Sequence, residues 1–306
     1  MEEYEVRDGG AAIDGGRIAA APISWGVCEV PGWGYQLSPE RVLSDMRDLG
    51  VTATETGPEG FLPASPDRLH DVLDAYGLRC VGAFIPLVLH RDDSDPTLAV
   101  TELLDRLEAS GGDVAVLAAA TGLHGYDHRP DLSESEWATL SANLDRIGTL
   151  AEERGVTAAL HPHAGTMIER REDIDRVLES SSIGLCLDTG HLLIGGTDPL
   201  ELVRRCPDRI THTHLKDVDV DLADQVRCDA LTYTDAVERG LYVPLGTGGA
   251  QIADVVSALA AADYDGWYVL EQDTVLPDAE SGDRAAVEVA ASLSFLYDVV
   301  AHPIRT

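Results

Sequence analysis

From residue 17 onward the apolar residues fall into short continuous or alternating runs that recur with a regular beat. They cover 17–25, 52–57, 79–89, 113–121, 156–163, 183–188, 210–216 and 266–272. Each has the length and the β-branched content of a buried strand. Between them lie segments with helical spacing. Trp137, Leu140, Leu144, Ile147 and Leu150 follow a 3-4 repeat behind the capping box Ser133-x-x-Glu136. Ser38-Pro39 and Asp198-Pro199-x-Glu201 set a capping residue before a proline at the first helical position. Gly50, Gly77 and Gly155 stand where helices should stop.

Eight strands alternating with about eight helices, with no linker between them, predict an α/β fold. Specifically, a single-domain (β/α)₈ TIM barrel is expected over residues 17–302. A doubly wound open sheet is the runner-up, weakened by the lack of a G-x-G-x-x-G turn after the first strand and of any Walker-type loop. Residues 1–16 are acidic and glycine-rich, with little to bury, and read as a flexible tail.

Composition narrows the partners. The formal charge is −32, from 54 acidic against 22 basic residues, and such a surface repels nucleic-acid phosphates and anionic lipid. It also suits a high-salt habitat, although GC-rich coding would equally replace lysine by arginine. The five cysteines form no C-x-x-C pair, no apolar run approaches a membrane span of ~20 residues, and no signal-like segment precedes the first strand. A cytoplasmic protein with reduced thiols is expected. Neither nucleic acid nor a membrane is expected as partner, and self-association into a homo-oligomer is allowed. Lys216 is the only lysine, the other 21 basic residues being arginines. In that background an ammonium, with its compact and tunable charge, points to chemistry that guanidinium cannot do.

The ionisable residues collect at the C-terminal ends of the predicted strands. Trp25 and Glu29 follow the first and Glu55 ends the second. His161 and His163 close the fifth, Asp188 the sixth with His191 behind it, His212, His214 and Lys216 the seventh, and Glu271 and Asp273 the eighth. That rim is where the loops of a barrel build an active site. Period-two geometry gives His161 and His163 one face, and His212, His214 and Lys216 another. Such groups need one another, water or a metal inside a barrel. A mixed imidazole and carboxylate set suits Mn²⁺, Co²⁺, Mg²⁺ or Zn²⁺, and spacing alone does not choose between His161 and His163.

Several segments together resemble the xylose isomerase-like TIM barrels of sugar isomerases, epimerases and keto-inositol dehydratases. They are Ala21-Pro22-Ile23-Ser24-Trp25, Thr54-Glu55-Thr56-Gly57, His161-Pro162-His163-Ala164-Gly165-Thr166, Leu187-Asp188-Thr189-Gly190-His191, His212-Thr213-His214-Leu215-Lys216-Asp217, Val243-Pro244-Leu245-Gly246-Thr247-Gly248 and Gly266-Trp267-Tyr268-Val269-Leu270-Glu271. The motifs are most similar to those of the inosose dehydratase branch. The resemblance implies a divalent metal, Mn²⁺ or Co²⁺ before Mg²⁺ or Zn²⁺, on His161, Asp188, His214 and Glu271. It also implies a carbon–oxygen lyase that dehydrates a keto-inositol or related keto-sugar through a metal-stabilised enediolate.

Expected catalytic residues are Glu271 or His191 as base, with Lys216 or Glu55 giving electrostatic help or the leaving-group proton. Trp25, His163 and Arg227 are expected against the substrate. The epimerases and isomerases usually carry glutamate where this chain has His161, so a two-carboxylate proton shuttle is incomplete here. A metal-dependent isomerase or epimerase is therefore the second reading, and a metal-free sugar-binding protein a third. The abasic-DNA endonucleases share the barrel but must hold a polyanion, against which the −32 charge argues. Gly246-Thr247-Gly248-Gly249 reads as a turn into the next helix more than as a phosphate grip, and the acidic run 91–95 as solvated surface.

Overall fold

A computed structural model describes residues 17–302, except Ser94. The tail expected at 1–16 lies outside the described residues. The barrel strands are β1 (Ile18–Ala20), β2 (Ala53–Glu55), β3 (Arg79–Leu87), β4 (Val114–Ala119), β5 (Thr157–Leu160), β6 (Gly184–Asp188), β7 (Ile210–Leu215) and β10 (Tyr268–Leu270). They close in the order β1-β10-β7-β6-β5-β4-β3-β2, every pair parallel. Between β7 and β10 the chain inserts a two-stranded antiparallel ribbon, β8 (Asp217–Val218) and β9 (Tyr242–Val243).

The helices are α1 (Pro39–Asp48), α2 (Pro66–Ala75), α3 (Thr97–Ser110), α4 (Glu134–Glu152), α5 (Arg171–Ser180), α6 (Thr189–Ile194), α7 (Pro199–Arg205), α8 (Val220–Arg227), α9 (Tyr233–Glu238), α10 (Ile252–Ala261) and α11 (Ser281–Ala301). That exceeds the expected eight because α6 and α7 divide one connection and α8 and α9 sit in the insertion. Among the described residues no helix is long and apolar enough to cross a membrane.

The caps read from sequence form as expected. Ser133 and Glu136 make the reciprocal capping box of α4, Ser38 accepts from Arg41 N, and Asp198 accepts from Leu200 N and Glu201 N. Leucine, isoleucine and valine from both layers fill the space between the strands and the helices. The barrel lumen below the rim is closed by small and apolar side chains. One cluster joins Ala19, Ala53, Val81, Trp267 and Val269, and another joins Val114, Val116, Ala159 and Cys186. By period-two geometry Val269 and Glu271 share a face, as do Ala159 and His161, Cys186 and Asp188, and Ala53 and Glu55. The same alternation that builds an apolar floor thus delivers the charged residues one step higher.

Candidate active site

Each rim residue sits where its strand runs out. His161 is the first residue after β5, its N–H bonded to Leu117 O at 2.7 Å, and Glu271 the first after β10, its N–H bonded to Leu215 O at 3.1 Å. Asp188 ends β6 and pairs in register with His214 on β7. A register irregularity at Leu185/Cys186, just before Asp188, and another at Thr54/Glu55 turn these two strand ends relative to their neighbours. The result brings residues scattered over more than 200 positions into one buried cluster.

Within it, His161 Nε2 lies 3.0 Å from Asp188 Oδ2, and His214 Nδ1 lies 3.0 Å from Glu271 Oε2 and 3.8 Å from Asp188 Oδ2. The donor atoms of Asp188, His214 and Glu271 all fall within 4.8 Å of one another. Burial opposes ionisation of both carboxyls. For Asp188 the Lys216 charge and the His161 contact outweigh it; for Glu271 the His214 and Lys216 charges do so. Both are therefore held below the ordinary carboxylate range. Burial lowers His161 to a neutral imidazole. Burial opposes a charge on His214, but neighbouring Cys186, Glu271 and Glu55 raise it well above its ordinary value, so a metal bound there would displace a proton.

One atom decides the fit. His214 Nδ1 is buried and faces one oxygen each of Glu271 and Asp188, while the ring's Nε2 bonds to Glu55 Oε1 at 2.9 Å. A proton or a metal ion is the cation that can join that nitrogen to the two carboxylates, and a metal there takes the place of the proton. The donor set fits a divalent metal held by His161, Asp188, His214 and Glu271.

Lys216 stands beside this cluster, buried. Its Nζ reaches Asp273 Oδ1 at 2.5 Å, Glu271 Oε2 at 3.0 Å and His191 Nε2 at 3.3 Å. Burial favours the neutral amine, but Asp273, Glu271 and Asp188 reverse that and keep it protonated. Tyr233 donates to the other Asp273 oxygen at 2.8 Å and meets Tyr242 at 3.1 Å.

A cavity opens above the cluster, lined by Glu29, Trp33, Phe84, Tyr126, His163 and Tyr233 around Lys216, Glu271 and Asp273. His163 Nδ1 donates to Ala164 O at 2.7 Å, which leaves Nε2 as the lone-pair nitrogen. Burial holds this imidazole well below its ordinary pKa, so it is neutral. Tyr126 covers it, ring centroids 4.4 Å apart, and bonds to Glu29 across the mouth.

This is the edge at which the sequence set its site, and the chain matches the family described as xylose isomerase-like TIM barrel over residues 43–297. The chain belongs to that family. As a xylose isomerase-like barrel it is 35% identical over 274 residues to the inosose dehydratase of Geobacillus kaustophilus (strain HTA426), covering 84% of this chain and 87% of that protein. It is 33% identical over 294 residues to the rhizopine catabolism protein MocC of Rhizobium meliloti, covering 91% and 90%. Its fold is similar to that of the IOLI protein solved with a bound zinc atom (TM-score 0.66, 15% identity, 95% and 100% covered).

Against this barrel, three expectations need correction. Trp25 is no cavity wall. Pro22 ends β1 and starts a 3₁₀ turn that swings Trp25 fully into the core, and Trp33 takes the wall instead, with Nε1 on Thr274 O at 3.2 Å. Arg227 ends α8 on the outside, bonded to Leu193 O at 3.2 Å and to Asp224, away from the cavity. His191 is fully buried behind His163, ring centroids 3.7 Å apart, with Lys216, Tyr242 and Ala164 N around its nitrogens, so it reaches substrate only through them.

Glu55 touches the cavity edge, but its Oε1 is taken by His212 at 2.8 Å and His214 at 2.9 Å. Tyr126 and Tyr233 were missed. Tyr126 lies in the loop after β4 and Tyr233 opens α9 inside the insertion, where no strand period points at them. The one available signal for the first was the cluster His124-Gly125-Tyr126-Asp127-His128 in a short loop.

Proposed function

We propose that the chain is a divalent-metal-dependent carbon–oxygen lyase that dehydrates a keto-inositol or a related keto-sugar. The observation that carries this reading is the neutral His163, which lines the cavity with its Nδ1 held by Ala164 O and its Nε2 left as the lone-pair nitrogen, beside the His161, Asp188, His214 and Glu271 donor set. The extensive identity to inosose dehydratases supports it. A histidine at 161 leaves no second carboxylate opposite Glu271, which disfavours the symmetric proton shuttle of an epimerase.

His161, Asp188, His214 and Glu271 would hold the metal, Mn²⁺ or Co²⁺ suiting their mixed oxygen and nitrogen donors. When bound, such an ion supplies Lewis-acid polarisation of a carbonyl oxygen. His163 Nε2 takes the proton from the carbon next to the carbonyl, and the C–H electron pair moves towards the carbonyl oxygen. That pair then forms the carbon–carbon double bond as the β C–O bond breaks. The departing hydroxyl takes a proton from Lys216 and leaves as water, with Asp273 and His191 holding the ammonium in position.

Glu271, pinned between His214 and Lys216, is better suited to ligation than to proton abstraction. The cavity favours a neutral polyol. Among the described lining residues Lys216 is the one lysine or arginine, and Glu271 and Asp273 already balance it. A phosphorylated sugar would meet Glu29 and Asp273 without a free positive partner.

The test is turnover of 2-keto-myo-inositol with and without added Mn²⁺ or Co²⁺, followed by the ultraviolet absorbance of the conjugated product. Absorbance growth that needs the metal is the expected result. A flat trace with every metal, together with interconversion of free ketoses, would replace the lyase with an isomerase.

A further inference from the structure

Below the metal donors lies a second set of buried groups that the proposed chemistry does not use. Glu55, His212 and His214 come from opposite sides of the barrel, β2 and β7, yet one oxygen, Glu55 Oε1, lies 2.8 Å from His212 Nε2 and 2.9 Å from His214 Nε2. All three side chains are buried. The register irregularity between Thr54 and Glu55 falls at the residue that must be aimed, as a bulge used to redirect a side chain would.

The protonation states follow from the partners. A carboxylate oxygen accepts hydrogen bonds, so both rings must carry a proton on the Nε2 that faces Glu55 Oε1. For His214 that leaves Nδ1 as the nitrogen that can exchange its proton for a metal. Nδ1 is buried and faces Glu271 at 3.0 Å and Asp188 at 3.8 Å. A neutral His214 left to itself could carry its proton on either nitrogen, and the Nδ1-protonated form cannot bind a cation.

We infer that Glu55 is a positioning residue for the metal centre: through its shared Oε1 it holds His214 in the Nε2-protonated tautomer, with His212 as the second donor that fixes the carboxylate. Glu55 thus sets how tightly the metal is held without touching the metal or the substrate. This rests on the donor set proposed above, but not on the identity of the substrate. Glu55 is accordingly not assigned the leaving-group proton, since its carboxyl is engaged as the acceptor for two imidazoles.

The experiment is metal binding by the full chain, read without turnover. Free Mn²⁺ is followed by electron paramagnetic resonance in titrations of the parent and of Glu55→Gln. The amide can turn its NH₂ towards His214 Nε2 and favour the wrong tautomer, so binding is expected to weaken about 10- to 100-fold, as for other lost outer partners of metal-bound histidine. In the same protein loaded with Zn²⁺ and labelled with ¹⁵N at histidine, the parent is expected to show His214 metallated at Nδ1 and protonated at Nε2.

Parent-like Mn²⁺ affinity in Glu55→Gln, or a His214 metallated at Nε2, overturns the inference. Should the variant fail to fold, the tautomer in the parent still decides it. A parent that binds metal through Nδ1 but dehydrates no keto-inositol would sink the dehydratase reading and leave this one standing.

Discussion

Lys216 Nζ sits among Asp273, Glu271 and His191, and this arrangement dictates what substitutions at the rim should do. Lys216→Met removes the charge and leaves two buried carboxylates unpaired. The predicted outcome is a loss of about 3–5 kcal/mol in folding stability, the usual cost of breaking a buried ion pair on one side. A fall in kcat of at least about 10²-fold goes with it, in keeping with a lost proton donor. Urea melts and steady-state rates at saturating metal check the two parts. His163→Gln tests a different claim, since it keeps a polar side chain in the cavity but removes the base. It should lower kcat by roughly 10²–10⁴-fold while metal affinity stays at the parent value. A kcat within a few-fold of the parent would remove His163 from the proton transfer.

Gly165 shows how backbone rather than side-chain chemistry shapes the same site. Its φ is +72°, and a Cβ there would lie 1.9 Å from Tyr126 O. Only glycine lets the two loops approach closely enough for Tyr126 to cover His163.

At the level of elements, the insertion between β7 and β10 is organised by a single carboxylate. Asp217 accepts from the N–H groups of Gly246, Gly248 and Ala250, each at 2.9 Å, and from Val218 at 3.1 Å. The glycine-rich turn that could have gripped a phosphate is therefore filled by the protein's own anion. Asp217→Asn replaces one acceptor oxygen by an NH₂ that faces N–H donors. A loss of about 3 kcal/mol is predicted, the scale of charge-assisted bonds lost from a buried site. Faster amide exchange at Gly246 and Gly248 would locate the loss in this turn, and unchanged exchange there would contradict it.

The insertion also marks the limit of what the sequence could tell. The eight barrel strands, the caps at Ser38, Ser133 and Asp198, and the gathering of ionisable residues at the strand ends were legible, because period two and strand order are local properties with global consequences, whereas the choice of His161 over His163 rested on the family resemblance. What stayed hidden depends on distances across the barrel. That Trp25 turns inward while Trp33 lines the cavity follows from a 3₁₀ turn after a three-residue strand. That His191 is screened by His163 follows from ring stacking between α6 and the loop after β5. No periodicity encodes either.

For the molecule as a whole, two loads act on one fold: a cluster of carboxylates in the barrel and a net charge of −32 over the chain. Metal that binds only the native state should stabilise it by about 2.7 kcal/mol at a free concentration a hundred times Kd. For a chain of 306 residues, at ~2.1 cal/mol/K of unfolding entropy per residue, that corresponds to roughly 4 °C in Tm. Chelator-treated protein should lose that increment and regain it on adding Mn²⁺, as read by calorimetry.

The surface term is separable because salt screens it and leaves the buried site largely alone. Between ~0.1 M and ~1 M ionic strength the Debye length falls from about 10 Å to about 3 Å, and repulsion among exposed carboxylates falls with it. Pairs such as Arg146–Asp95 and Arg171–Glu201 are exposed and weaken over the same range, but 54 acidic residues outnumber 22 basic ones, so the repulsive part dominates. With metal saturating throughout, Tm should rise as NaCl goes from about 0.1 M to about 1 M, and KCl should act alike because the effect is screening. A Tm that falls or stays flat would mean that the exposed ion pairs offset the repulsion, and the acidity would then have no part in stabilising the fold at high salt.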